Sequence, residues 1–257
     1  MNAIEFEKFR EIYLGYAEIC LRGSEIFKKA AVFEKTIKKF WKTSEILIEN
    51  GKKYNLTSIL EPEEIIRKHI IDSILPFCLI YDGFLKNITG SIADVGTGAG
   101  FPLLPLAAVY SELDSRMEFL GIDSTGKKIK HIREAAEFAG LYNVKAAQGR
   151  AEELGVSALR ESQGLVTARA VASLPVILEL CVPLVKKGGL FVALKSRLEE
   201  ERDMADGVAE ELGAKEELTV EYSLPGGDKR TVLVYRKAAE TPDRYPRRYS
   251  EIVRKTK

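Results

Sequence analysis

The chain has 257 residues, of which 46% are hydrophobic and 30% are charged, and its formal net charge is +1 at pH 7. This composition is that of a globular protein and excludes a disordered or fibrous chain. No stretch approaches the roughly 20 consecutive apolar residues of a membrane span. The N-terminus mixes charges of both signs, unlike a secretion signal. We therefore expect a cytoplasmic protein without a membrane partner.

The cysteine pattern argues against a metal site. Cys20, Cys78 and Cys181 are odd in number and far apart, and no two have C-x-x-C spacing. The chain holds only two histidines, His69 and His131. Zinc sites and disulfide frameworks draw on regularly spaced ligands. We predict reduced cysteines and no bound metal.

Residues 1–88 have helical periodicity and are predicted to form a small helical N-terminal lobe. Apolar side chains recur at steps of three and four residues over 26–41, with lysines between them. A second helix is predicted over 43–53 and a third over 62–80, whose opening proline suits a first turn. His69 lies on the apolar face of this third helix, where a histidine is by default a hydrogen-bonded structural residue.

From residue 89 to 237 the pattern alternates between strands and helices. This alternation predicts an α/β domain with a mostly parallel sheet and helices on both faces. The seven predicted strands are 91–95, 117–122, 143–147, 164–168, 189–194, 217–224 and 230–236. The predicted helices between them include 102–112, 126–140 and 174–186. The last two strands flank a PGGD turn and are predicted to form a hairpin.

The segment SIADVGTGAGFP, residues 91–102, is the most informative motif. A glycine-rich turn from a buried strand into a helix is where α/β folds hold nucleotide-like cofactors. A dinucleotide fingerprint would place its third glycine at position 101, where this chain has a phenylalanine. This spacing favours S-adenosylmethionine over NAD. The residues predicted to contact the cofactor here are Asp94, Gly96, Gly98, Gly100 and Phe101.

Asp123 ends the second predicted strand, 23 residues after Gly100. An acid at about that separation, at the tip of the next strand, can accept hydrogen bonds from both ribose hydroxyls. It can equally cap the helix that begins near Ser124. We favour the ribose role because the strand tip, the glycine turn and the spacing agree.

Two cations follow later strands. Arg169 ends the fourth predicted strand and Lys195 follows the fifth. The carboxyl edge of an open α/β sheet is where ligands bind. Arg169 is therefore a candidate cofactor contact and Lys195 a candidate contact to RNA phosphates. The alternative for Arg169 is a structural salt bridge, and the alternative for Lys195 is a solvated surface charge.

Residues 238–257 are predicted to form a basic C-terminal tail. From residue 229 to the end, ten Lys or Arg face three acidic residues, an excess of seven positive charges. Such a surface suits the phosphate backbone of a nucleic acid, with Arg247 and Arg248 as candidate contacts. A frayed, solvated tail is the alternative. If the tail guides RNA, its removal is expected to leave cofactor binding intact.

Several segments together resemble one family, the bacterial small-subunit ribosomal RNA guanine-N7 methyltransferases called RsmG (older name GidB). Each segment is modest evidence alone, but they occur in the family's order around the glycine turn. They are YNLTSI (54–59), EEIIRKHIIDSILP (63–76), IADVGTGAGFPLLPLA (92–107), LGIDSTGKKIKHIRE (120–134), GRAEEL (149–154), ARAVASLPVILELCVPLVKKGGLFVALKS (168–196) and RYPRR (244–248).

The resemblance implies a Rossmann-like class I methyltransferase fold and an enzyme that methylates guanine N7 in 16S ribosomal RNA. Its partner would be that RNA or a small-subunit assembly intermediate, and it would act as a monomer. The family's cofactor contacts fall on Gly96, Phe101, Ala151, Glu152 and Arg169, with Ala151 and Glu152 beside the adenine. The residues expected to position the reactants are His69, Asp72 and Ser73 from the N-terminal lobe, together with Lys195.

Guanine N7 already carries a lone pair, so methyl transfer needs no general base and no catalytic residue is assigned. Catalysis is expected to rest on alignment and electrostatics. The alternatives are an NAD(P)-dependent oxidoreductase, a methyltransferase for another substrate, and an RNA-binding protein with a degenerate methyltransferase fold. The phenylalanine at position 101 argues against the first, and the intact glycines with Asp123 and Arg169 argue against the last.

Overall fold

A computed structural model describes residues 3–196 and 202–255, and it begins with a helical lobe. The predicted lobe is confirmed. Its helices are α1 (Ala3–Cys20), α2 (Glu25–Ala31), α3 (Glu34–Tyr54), α4 (Pro62–Ile65) and α5 (Asp72–Ile80), with π-helical segments over Ile66–Ile71 and Tyr81–Leu85.

The predicted division of the lobe helices is wrong in two places. The apolar stripe 26–41 is not one helix, because the extended backbone of Phe33 separates α2 from α3. The helix predicted over 43–53 is not separate either, since it is the second half of α3. The hydroxyls of Thr43 and Ser44 donate to a carbonyl oxygen of the preceding turn, so these two residues do not interrupt the helix.

The rest of the chain builds one seven-stranded sheet in the order β3-β2-β1-β4-β5-β7-β6. Strands β1 to β5 are parallel, and β7 runs antiparallel to both β5 and β6. The α/β prediction is therefore confirmed, hairpin included. The strands are β1 (Ser91–Val95), β2 (Glu118–Asp123), β3 (Val144–Gln148), β4 (Gln163–Arg169), β5 (Val185–Lys195), β6 (Ala214–Ser223) and β7 (Lys229–Lys237).

The helices that follow the strands are α6 (Leu103–Leu113), α7 (Gly126–Ala139), α8 (Ala151–Leu154), α9 (Leu174–Cys181), α10 (Arg202–Glu211) and α11 (Tyr249–Lys255). The prediction of a helix over 174–186 is wrong at its end. Helix α9 stops at Cys181, and a 3-10 turn over Val182–Leu184 leads into β5 at Val185. Pro183 lies in this turn, where its missing N–H ends the α-helical hydrogen bonding.

Two hydrophobic clusters pack against opposite faces of the sheet. In β1, Ile92 belongs to the cluster with α6, α7 and the lobe, and Ala93 to the cluster with α9, α10 and α11. In β4, Leu165 belongs to the first of these clusters and Val166 to the second. This alternation is the period of a strand, and it puts helices on both faces. The strand order reverses between β1 and β4, and open α/β sheets bind ligands at such a reversal.

The C-terminal residues described by the structure are not a frayed tail. Tyr245 is 5% exposed and Ile252 is fully buried, both in the second cluster. The alternative of a solvated tail is therefore wrong for residues 238–255. No helix in the described parts of the chain is long and apolar enough to cross a bilayer.

Candidate active site

A cavity of about 380 Å³ opens at the carboxyl ends of the first strands. Gly96 follows β1, Asp123 ends β2, and Ala151 and Glu152 begin α8 after β3. All four line this cavity, which we call the first cavity. Residues predicted from three separate segments to hold a cofactor therefore meet in one space.

The glycines of the turn have different roles. Gly96 has φ +69°, and a Cβ added there would lie 2.5 Å from Val171 Cγ2, so a side chain is excluded at this wall of the cavity. The N–H of Gly98 donates to Asp123 Oδ2 at 3.1 Å. Gly100 faces the core, where an added Cβ would lie 2.5 Å from Leu104. A glycine at this position therefore allows α6 to pack closely, and a cofactor contact is not needed to account for it.

Asp123 lines the first cavity and is hydrogen-bonded both to the glycine turn and to the start of α7. Its side chain is 6% exposed and accepts hydrogen bonds from the backbone N–H of Gly98 at 3.1 Å and of Thr125 at 2.9 Å. Lys128 Nζ lies 3.3 Å from the same carboxylate. Thr125, rather than Asp123, occupies the N-cap position of α7. The carboxylate thus fixes the glycine turn and the start of α7 while facing the cavity.

Asp94 lies beneath the glycine turn and is 1% exposed. Among the described residues, neither its carboxylate oxygens nor the Thr97 hydroxyl has a hydrogen-bond partner. Burial raises the pKa of Asp94 to about 7, and the neighbouring Thr97 hydroxyl and Arg169 charge oppose that shift only in part. Buried polar atoms without partners call for an explanation. Asp94 does not line the first cavity, and the Thr97 hydroxyl and the Leu103 N–H beside it belong to the turn itself. The Asp123 carboxylate and the Lys128 ammonium do line the cavity, and these polar groups fit a nucleotide-like cofactor.

A second cavity, of about 290 Å³, lies beside the first. His69 and Asp72 from the lobe, Arg169 from β4, Lys195 from β5 and Arg230 from β7 line it. Three of the four predicted positioning residues therefore lie together. The fourth, Ser73, is fully buried, and its hydroxyl donates to the carbonyl oxygen of His69 at 2.5 Å within the helix. In the sequence, Arg230 is recognisable only as one of the C-terminal cations.

The carboxylate of Asp72 joins two arginines that are remote in sequence. Arg169 Nη1 lies 3.3 Å from Asp72 Oδ2, and Arg230 Nε lies 3.2 Å from Asp72 Oδ1. The Arg169 guanidinium also lies over the ring of Phe101, 5.7 Å from its centroid. Burial lowers the pKa of Arg169, and Asp72 opposes this. Arg169 thus makes a structural salt bridge, which the sequence offered as the alternative to a cofactor contact. It also lines the second cavity.

His69 stacks on Phe101, with ring centroids 4.4 Å apart and an interplanar angle of 15°. Its Nε2 lies 3.2 Å from the Thr57 hydroxyl, and its Nδ1 has no partner among the described residues. Burial and the Arg169 charge lower the pKa of His69 to about 4, so the ring is neutral at pH 7. It lies in the π-helical segment Ile66–Ile71, a distortion frequent at functional sites.

Ala170 lines both cavities and joins them. Its φ is +56°, a conformation that costs an alanine about 1 kcal/mol or more. Next to it, Lys195 Nζ donates to the Ala172 carbonyl oxygen at 3.0 Å. The strained junction and the lysine are held at the ends of adjacent strands β4 and β5.

Arg247 and Arg248 differ in their surroundings. The Arg247 guanidinium pairs with Glu179, whose side chain is 1% exposed, with Nε 2.8 Å from Oε1. This pairing raises the pKa of Arg247. Arg247 therefore has a structural role, because releasing it would leave a buried carboxylate unpaired. Its contact to RNA phosphates stays a prediction. Arg248 is exposed.

A larger groove, of about 1170 Å³, lies in the lobe between α1, α3 and the start of α4. It shares no lining residue with either cavity, and charges of both signs line it. Its size alone assigns it no chemistry.

A family model described as "rRNA small subunit methyltransferase G" (GidB) matches residues 36–228 of this sequence. The chain belongs to this family. The resemblance seen in the sequence is thereby confirmed. The matched range includes the glycine turn and the lobe residues of the second cavity, and it ends before Arg230.

Proteins named "Ribosomal RNA small subunit methyltransferase G" are similar over most of the chain. The one from Acetivibrio thermocellus is 43% identical over 217 residues, which are 84% of this chain and 86% of that protein. The one from Lactococcus lactis subsp. lactis is 41% identical over 84% of this chain and 88% of that protein. The one from Staphylococcus saprophyticus is 42% identical over 79% of this chain and 83% of that protein.

Proposed function

We propose that this protein transfers the methyl group of S-adenosylmethionine to N7 of a guanine in 16S ribosomal RNA. The observation that carries the proposal is the meeting of two cavities at Ala170. One is built around a glycine turn and the other from charged side chains. The relatives are named for ribosomal RNA of the small subunit, which supports the substrate and a cytoplasmic location. We expect the enzyme to act as a monomer.

The first cavity suits the cofactor. Gly96 puts backbone at the wall of the cavity, Asp123 would accept hydrogen bonds from the ribose, and Ala151 and Glu152 would lie beside the adenine. Asp94 lies beneath the turn and outside the lining of the cavity, so we assign it to holding the turn. When bound, S-adenosylmethionine supplies an electrophilic methyl group. Gly96, Asp123, Ala151 and Glu152 would hold the cofactor in the first cavity.

The second cavity suits the target base. Guanine presents N–H donors on its Watson–Crick edge, and Asp72 is the one acid among the described residues that line this cavity. Arg169 and Arg230 hold its carboxylate in place. Because Arg169 and Arg230 already pair with Asp72, we assign its carboxylate to orienting the base rather than to balancing the charge that develops on the ring. The neutral ring of His69 adds no further positive charge.

No residue of the site has to remove a proton, because N7 attacks through its own lone pair. The rate then depends on holding the nucleophile, the methyl carbon and the sulfur in line and on excluding water. The target base must leave its stack to enter the second cavity. Lys68, Lys195 and Arg230 line that cavity and are placed to contact the phosphates of the displaced nucleotide.

The test is to map N7-methylguanine in 16S ribosomal RNA from cells with and without this gene. One guanine should lose its methyl group when the gene is deleted. The wild-type gene should restore it, and a gene carrying Asp72→Asn should not. Identical maps with and without the gene would refute the proposal. A methyl group lost elsewhere would favour a methyltransferase for another substrate.

A further inference from the structure

The C-terminal segment, defined as residues 241–255, is held firmly to the domain at its start. The Arg160 guanidinium donates to the carbonyl oxygens of Thr241 at 2.6 Å and of Tyr245 at 2.7 Å. The N–H of Thr241 donates to Glu161 Oε1 at 2.7 Å. Backbone groups of the segment are thus satisfied by side chains of the loop before β4.

The middle of the segment is fixed to the wall of the first cavity. Arg247 pairs through its guanidinium and its backbone N–H with Glu179 of α9. The next residue of α9, Leu180, lines the first cavity. Pro246 packs on Gly155, where an added Cβ would come within 3.1 Å of the proline ring. Gly155 immediately follows α8, whose first two residues line the cavity.

The end of the segment packs into the core behind the same wall. Ile252 is fully buried and shares a hydrophobic cluster with Ala151 and Leu174. Between Arg247 and Ile252, the first residue of α11 is Tyr249, which is 40% exposed and lines the first cavity. A ring held by a buried ion pair before it and a buried isoleucine after it has a defined position.

We propose that the C-terminal segment forms part of the cofactor site and that the Tyr249 ring is the outer wall against the adenine. The proposal rests on the proposed function, since it takes the ligand of the first cavity to be S-adenosylmethionine. Tyr249 lines the same cavity as Ala151 and Glu152, the two residues proposed above to lie beside the adenine. Adenine offers a flat face on which an aromatic ring stacks. Residue 249 lies beyond 36–228, the range matched by the family model.

The inference reverses an expectation from the sequence. A basic tail that only guides RNA could be removed without affecting the cofactor. In the structure the segment supplies a wall of the first cavity and the partner of Glu179. Removing residues 241–255 is therefore expected to abolish binding of the cofactor itself.

The first experiment is calorimetric titration of the full-length protein with S-adenosylhomocysteine. Tyr249→Ala should weaken binding about ten-fold, equal to about 1.4 kcal/mol. Tyr249→Phe keeps the ring and should bind within about two-fold of wild type. Tyr142, which is 89% exposed and lies outside the lining of the first cavity, provides the matched control, and Tyr142→Ala should also leave binding unchanged.

A fluorescence experiment reports on the position of the ring without loss of a side chain. In Tyr249→Trp, adding S-adenosylhomocysteine should shift or quench the emission of the new indole. Adding S-adenosylhomocysteine to Tyr142→Trp should leave the emission unchanged. Trp41 contributes equally to the emission of both variants. An unchanged spectrum of Tyr249→Trp during saturable binding would overturn the inference.

The two proposals fail in different ways. If the wild-type protein binds neither S-adenosylmethionine nor S-adenosylhomocysteine, the proposed function is refuted. If wild type binds and Tyr249→Ala binds equally well, only the inference about the C-terminal segment is refuted. Equal loss in Tyr249→Phe and Tyr249→Ala would also overturn it, because the ring would then not be the contact.

Discussion

The two cavities that meet at Ala170 are built in opposite ways. The first is made largely of residues that follow successive parallel strands, with Gly96 of the glycine turn among them. The second is made of charged side chains from a lobe helix and from β4, β5 and β7. Under the proposed function, the first cavity holds the cofactor and the second selects the base that is methylated. Substitutions in the two cavities should therefore separate binding of the cofactor from use of the substrate.

The largest effect is expected from Asp72→Asn. The change leaves the partly buried Arg169 and Arg230 without their carboxylate, which should lower the free energy of unfolding by about 3 kcal/mol. Affinity for S-adenosylhomocysteine, measured by calorimetry below the melting temperature, should stay within about three-fold of wild type.

Two variants serve as controls for Asp72→Asn. Asp228→Asn removes an exposed partner of Arg67 and should change stability by less than about 1 kcal/mol. Adding Arg230→Gln to Asp72→Asn should recover part of the lost stability, because one unpaired charge is removed. A large loss of cofactor affinity in Asp72→Asn would contradict the separation of the two cavities.

Asp123→Ala probes the first cavity. Affinity for S-adenosylhomocysteine should fall about ten- to hundred-fold through the loss of charge-assisted hydrogen bonds to the ribose. Because the carboxylate also accepts from the N–H groups of Gly98 and Thr125, the ligand-free protein should lose about 1 kcal/mol of stability per hydrogen bond. Glu118→Ala, at the other end of β2, should change neither. Reduced stability with unchanged affinity would assign Asp123 a structural role alone.

Asp94 should make the stability of the ligand-free protein depend on pH. Its folded pKa of about 7 exceeds the ordinary aspartate pKa of 3.8, so the folded state binds the extra proton between about pH 4 and 7. Stability from this group is therefore present at low pH and is lost as the pH rises through 7. Asp94→Asn should remove that loss, and its melting temperature should exceed that of wild type most clearly at pH 8. Parallel melting curves across this range would contradict the assignment.

The smallest effect is expected at the C-terminal cations. Arg248→Ala should make the dependence of RNA affinity on salt shallower by no more than about 0.9 in the slope of log affinity against log salt. Arg247→Ala should instead lower stability, since it leaves Glu179 buried and unpaired. Equal slopes for wild type and Arg248→Ala in titrations with 16S ribosomal RNA would remove Arg248 from the RNA surface.

Both cavities could be predicted from the sequence only in part, since four of the nine predicted cofactor residues line the first cavity: Gly96, Asp123, Ala151 and Glu152. The glycine turn, Asp123 and the pair Ala151–Glu152 each lie next to a strand end, so alternation of strands and helices brings them together. Gly100 was assigned to the cofactor because spacing cannot tell a ligand contact from a packing contact. In the structure it faces Leu104.

The second cavity depends on pairings across long sequence separations. Asp72 and Arg230 meet because β7 pairs with β5 and the lobe packs against that end of the sheet. No local pattern around Arg230 marks this contact. The C-terminal segment posed the same difficulty, since Arg247 and Glu179 are 68 residues apart. Composition identified a basic tail, but only tertiary structure identifies its partner.

The most direct test of the two-cavity account is single-turnover methyl transfer by Arg230→Gln. Labelled S-adenosylmethionine would be given with small-subunit particles from cells that lack the gene, beside a titration of each protein with S-adenosylhomocysteine. The account predicts transfer at least about ten-fold slower than wild type, equal to about 1.4 kcal/mol, with unchanged affinity for S-adenosylhomocysteine. Transfer at the wild-type rate, or a parallel loss of cofactor affinity, would contradict it.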